Sequence, residues 1–113
     1  MHELALAENV LALIEEARRR ERFAHVRALR LEIGALAGVE PDALRTCLEI
    51  VLARSVAGGA ELQFDIVPGQ GFCMDCGCSV SVMNLYDDCP RCGGPRVQTQ
   101  AGTRMRLSEL RVE

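Results

Sequence analysis

Cys73-Met74-Asp75-Cys76 and Cys89-Pro90-Arg91-Cys92 decide how the second half of this chain folds. Each pair can chelate from one tight turn, and two pairs place four thiolates around one tetrahedral ion, the construction of a structural zinc site. Gly77 and Gly93 directly follow the second ligand of each pair, and glycine there permits the positive φ that closes a tight knuckle. Pro90 stiffens the second turn. Zinc is the first choice of metal and iron in a rubredoxin-like site the competitor; with aromatic residues at 4% and no tryptophan, iron would lack its usual shielding. Cys78 is a fifth thiol beside the set and reads as a spare. Cys47 lies far upstream within an apolar stripe and reads as a small core residue.

Working outward, Pro68-Gly69 and Gly102 bracket the cysteine segment, which shows little apolar periodicity of its own. The flanking sequence is periodic. Ala7, Val10, Leu11, Ile14 and Ala17 recur at helical spacing, predicting a helix over 4–20, with Arg18, Arg19, Arg20 and Arg22 clustered at its C-terminal end, where positive charge suits the helix dipole. Leu29, Leu31 and Ile33 alternate with polar residues and predict a strand. Gly34 and Gly38 then loosen the chain. A second helix is expected from Pro41, with Leu44, Cys47, Leu48 and Val51 inward, and a second strand over Leu62, Phe64 and Ile66. A last strand runs from Met105, with a bulge expected near Ser108-Glu109, because Met105 and Leu107 share one phase and Leu110 and Val112 the other. The expected fold is therefore α+β, with two helices packed on a three-stranded sheet and an inserted zinc-ribbon-like lobe. The expected domains are 1–68 plus 102–113, and 69–101. The lobe is too small to fold alone, so metal binding should supply its stability.

Composition narrows the function. The chain has 113 residues, 49% of them hydrophobic, which suffices for one modest core plus a metal-stapled lobe. All 13 basic residues are arginine, which excludes a P-loop lysine and a lysine Schiff base. The net charge of −3 disfavours a nucleic-acid surface, and the lobe sets Arg91 and Arg96 against Asp75, Asp87 and Asp88, with only Phe72 and Tyr86 as stacking residues. A hydrolytic zinc enzyme needs an open coordination position, which four cysteines close. A thiol redox protein needs a reactive pair in a thioredoxin-like setting. The first residues carry acids and no basic stretch before an apolar run, so they do not read as a secretory signal, and no apolar stretch approaches the roughly 18 residues of a membrane span. The expected compartment is the cytoplasm, where cysteines stay reduced.

The chain opens Met1-His2-Glu3. A terminal amine, the His2 backbone nitrogen and the His2 imidazole can chelate one ion in fused five- and six-membered rings. Such a nitrogen-rich tetragonal set favours Ni(II) or Cu(II) over zinc. A large second residue should also block removal of Met1.

Together these features resemble the HypA/HybF family of hydrogenase-maturation nickel chaperones. The likeness spans the chain: Met1-His2-Glu3, the Gly34 loop leading to Glu40-Pro41, the CxxC and CPxC pairs, and the closing Met105-Arg106-Leu107 strand. The resemblance implies a metallochaperone that is not an enzyme. Nickel would be bound at the N-terminus with His2 essential and Met1 and Glu3 taking part through amine or backbone nitrogen. An acidic residue after the glycine loop, Glu40 in this chain where the family often has aspartate, would join or support that site. Structural zinc would sit on Cys73, Cys76, Cys89 and Cys92. The implied partners are a HypB-like nickel GTPase and the large subunit of nickel-iron hydrogenase, with urease maturation proteins in some organisms, and neither nucleic acid nor membrane. The alternative is a zinc-ribbon module that binds nucleic acid or protein.

Overall fold

A computed structural model describes residues 2–113. The described elements are α1 (His2–Glu21), β1 (Val26–Gly34), α2 (Pro41–Leu52), β2 (Glu61–Val67), β3 (Gly69–Cys73), β4 (Ser79–Val82), β5 (Val97–Ala101) and β6 (Met105–Val112). They form two three-stranded sheets, ordered β2-β1-β6 and β4-β3-β5. The fold is α+β, as the periodicity predicts. No helix among the described residues is long and apolar enough to cross a membrane.

The chain divides into two compact units. The first comprises the residues up to Leu31, Val39–Phe64 and Leu107–Glu113. Its helices present the apolar stripes that their sequences dictate: Ala7, Val10, Ile14 and Ala17 are buried on α1, and Leu44, Leu48 and Leu52 on α2. The second stripe follows i, i+4, i+8, so it passes through Leu52, while Cys47, expected inside it, is only half-buried. As the central strand, β1 adds Val26, Ala28, Leu29 and Leu31 to this core.

The second unit comprises Glu32–Gly38 and Asp65–Arg106. The cysteine segment, which shows little apolar periodicity, holds three strands. β3 pairs antiparallel with β4, Gly69 opposite Val82 through Phe72 opposite Ser79. It also pairs antiparallel with β5, Cys73 opposite Val97 through Gly71 opposite Thr99, with a register shift at Gln70/Gly71. These strands are hard to read because β3 contains two glycines and β5 is mostly polar. The small core of this unit joins Leu36, Cys73, Val80, Val82 and Cys89, with Val97 packed against it. Ile66, expected inside, is 46% exposed. It lies on an edge strand and belongs to the second unit, whose core is built from other residues. On β6 the half-buried positions are Met105, Leu107, Ser108 and Leu110, so the inward phase changes between Leu107 and Ser108.

Candidate metal centres

Two knuckles build the cysteine site. Cys73 ends β3, and Cys76 follows in the turn before β4. The Cys73 N–H donates to the Cys78 carbonyl at 2.9 Å, and the Gly77 N–H to the Cys73 carbonyl at 2.8 Å. The second knuckle repeats the pattern: the Cys89 N–H donates to the Gly94 carbonyl at 2.9 Å, and the Gly93 N–H to the Cys89 carbonyl at 2.8 Å. Gly77 and Gly93 occupy matching left-handed positions, with φ of +68° and +74°.

These turns bring Cys73, Cys76, Cys89 and Cys92 together, all four sulfurs lying within 4.8 Å of one another. The Cys73–Cys92 and Cys76–Cys89 separations are 3.5 and 3.9 Å. A zinc ion at about 2.3 Å from each of four sulfurs spaces them about 3.8 Å apart, so this geometry fits the ion without rearrangement. Backbone N–H groups point at the sulfurs: Cys76 at Cys73 (3.4 Å), Arg91 and Cys92 at Cys89 (3.4 and 3.5 Å), and Gly94 at Cys92 (3.4 Å). The donor from Cys92 leads in pulling the Cys89 thiol down to about 7, while loss of solvation pushes Cys76 up to about 12. Four thiolates this close repel one another, and a divalent cation offsets that repulsion. Cys78 stands outside the set, its thiol 3.6 Å from the Cys76 carbonyl.

Sequence reasoning missed one brace of this site. Arg96 closes on Asp75 at 2.6 Å, and its carbonyl accepts from the Met74 N–H at 2.8 Å, so a residue on the approach to β5 clamps the first knuckle. No local signal links positions 21 residues apart in sequence.

The second candidate site lies in the first unit. Met1 falls outside the described residues. His2 begins α1, and its imidazole is largely exposed, with Nδ1 3.9 Å from the Glu3 carboxylate. The first four N–H groups of a helix have no intrahelical acceptor, so the backbone nitrogens of His2 and Glu3 are not committed to the helical ladder. Glu3 accepts a hydrogen bond from the Glu40 N–H at 3.1 Å. That donor, followed by Glu3's own N–H, holds the Glu3 carboxyl below the usual carboxylate range. Glu40 is in turn the N-cap of α2, its Oε1 accepting from the Asp42 N–H at 3.0 Å. The structure thus brings Glu3 and Glu40 together at the starts of both helices, with the Glu40 backbone rather than its carboxylate facing Glu3. Carboxylates of Glu3, Glu40 and Asp42 offset the positive ends of two helix dipoles, which makes this corner tolerant of a cation.

A family model described as "HypA: Hydrogenase/urease nickel incorporation, metallochaperone, hypA" matches residues 1–112. The chain is 48% identical to the hydrogenase maturation factor HypA of Albidiferax ferrireducens and 47% identical to that of Dechloromonas aromatica, in each case over the full length of both chains. Its fold is similar to the solution structure of the Ni metallochaperone HypA from Helicobacter pylori, with a TM-score of 0.68 at 21% identity, covering 97% of this chain and 96% of that one. The knuckled cysteine cluster, the two-helix unit and the sequence likeness over the whole length agree: the chain belongs to the HypA family of hydrogenase/urease nickel-incorporation metallochaperones.

Proposed function

We propose that this protein carries Ni(II) as cargo, taking it up at Met1, His2 and Glu3 and delivering it to the large subunit of nickel-iron hydrogenase. The observation that carries this reading is the exposed His2 imidazole at the first turn of α1, beside backbone nitrogens outside the helical ladder and a carboxylate tethered to Glu40. Imidazole and backbone nitrogen form a donor set that suits Ni(II) better than Zn(II). Glu40 acts as a positioning residue: its N–H fixes Glu3, and its carboxylate is engaged in capping α2. An exposed site lets the ion leave as readily as it arrives, which a carrier requires. The protein is not an enzyme. Its partners are a HypB-like GTPase and the hydrogenase large subunit, with urease maturation proteins as a second recipient, and it works in the cytoplasm.

Cys73, Cys76, Cys89 and Cys92 hold a structural Zn(II), whose contribution is to tie the two knuckles together. The domain of residues 1–68 plus 102–113 carries nickel, and residues 69–101 carry zinc. Metal analysis of untagged protein tests the assignment. His2→Ala should lose nickel binding and keep its zinc and its thermal transition; nickel bound with wild-type affinity would remove the central claim. An extension before Met1 should also weaken nickel binding, because it converts the amine to an amide.

A further inference from the structure

The arginines at the end of α1 serve neither metal site. Arg18, Arg19 and Arg22 line a cleft of about 570 Å³ together with Arg54, which follows α2, and with the buried Phe23 and half-buried Val56. Several arginines elsewhere in the chain are matched with acids: Arg96 with Asp75, Arg106 with Glu32, and Arg111 with Glu109. Among the described residues, the side chains of Arg19, Arg22 and Arg54 form no ion pair and donate to no carbonyl oxygen. Glu15, the one carboxylate lining the cleft, pairs with none of them. Arg18 is fixed by its Nε bond to the Phe23 carbonyl at 3.2 Å. Arginine side chains can also cap a helix C-terminus by donating to its last carbonyls, and none of these four side chains bonds a carbonyl within α1 or α2. In a chain of net charge −3, a cleft with four guanidiniums and one acid is a local reversal of sign.

We propose that this cleft is a docking surface for an acidic segment of a partner protein, rich in aspartate and glutamate, whose carboxylates pair with Arg18, Arg19, Arg22 and Arg54. Guanidinium forks match carboxylate oxygens two at a time. A compact phosphate is the weaker fit. Phosphate sites recruit backbone N–H groups at helix N-termini, whereas this cleft is lined by the C-terminal half of α1 and by residues just beyond α1 and α2, where no helix N-terminus is presented. Carboxylates strung along a peptide can meet guanidiniums that stand apart on two segments, and Glu15 offers the peptide backbone an acceptor. The proposal does not depend on which metal either site takes.

Fluorescence anisotropy with a fluorescein-labelled oligoglutamate peptide tests it on the intact, zinc-loaded protein. The peptide should bind, and its affinity should fall as salt is raised. Arg19→Gln/Arg54→Gln should weaken binding by about tenfold, one exposed carboxylate pair being lost from each segment. Arg27→Gln/Arg104→Gln, which removes the same charge from two exposed residues that do not line the cleft, should change affinity less than about twofold. Absence of peptide binding overturns the proposal, as does an equal loss in both double variants, which would report net charge alone. Tripolyphosphate displacing the probe at lower concentration than unlabelled peptide overturns it in favour of a phosphate site. The substituted side chains are exposed, so both variants should fold, and unchanged zinc content with an unchanged thermal transition verifies that they do.

Discussion

Gly93→Ala isolates the backbone contribution to the zinc knuckle. Gly93 sits at φ +74°, and a Cβ added there would meet nothing within 4 Å. The substitution therefore introduces no clash, and its whole cost is the left-handed conformation, about 1–2 kcal/mol for an L-residue. That cost falls on the turn whose Gly93 N–H bonds the Cys89 carbonyl at 2.8 Å and whose next N–H, from Gly94, points at Cys92 Sγ. Because the knuckle forms with its ion, the strain should appear as roughly 5- to 30-fold weaker zinc binding. Gly93→Asn should recover most of the loss, since asparagine tolerates this region far better than alanine. Gly77→Ala, at φ +68° and equally open, should match Gly93→Ala. A colorimetric chelator competition measures all four proteins at one pH. Wild-type zinc affinity in both alanine variants would refute the reasoning, and so would an asparagine variant no better than alanine.

Cys89→Ala should abolish zinc binding and the hydrogen-exchange protection of β3, β4 and β5 while leaving that of α1 intact; retained zinc stoichiometry would contradict the ligand set. The bond from Glu40 to Glu3 predicts a titration midpoint for the Glu3 carboxyl below its ordinary 4.5. Because the folded value is depressed, whatever stability the contact contributes is present above the unfolded value and is lost as pH falls through the folded one. The Glu40 amide resonance should report that midpoint, and a value at or above 4.5 would show that the bond is not made. Leu48→Ala should cost about 2–5 kcal/mol in urea unfolding, because Leu48 is fully buried on α2. Ile50→Ala, two residues on and 70% exposed, should stay within about 0.5 kcal/mol of wild type.

The helices are legible in the sequence because their stripes repeat over several turns, as Ala7, Val10, Ile14 and Ala17 do, and because Pro41 marks a start. Strand β1 is legible from its alternation. The strands of the second unit are less so. Val80 and Val82 alternate with Ser79 and Ser81, the one usable signal there, and its four residues are too few to stand out. Leu36 reads as part of a glycine-flanked loop, and its place in the core beside Cys73 depends on contacts far apart along the chain. The four-sulfur cluster was foreseeable from spacing alone, because a CxxC turn places its two thiols locally and the metal supplies the remaining link. The tether between Glu3 and Glu40 was not, since nothing in either segment encodes that the two helices begin side by side.

The sulfur cluster has a front and a back. Cys73 and Cys89 are buried while Cys76 and Cys92 are exposed, one of each kind from each knuckle. Cys89, at the back, also receives two backbone N–H donors, which draw electron density from its sulfur. An electrophile or oxidant arriving from solvent therefore meets Cys76 and Cys92 first, the outer sulfur of each turn. Chemical damage at this site would loosen both halves of the metal grip together, and the first modified peptides recovered after mild alkylation should carry those two residues.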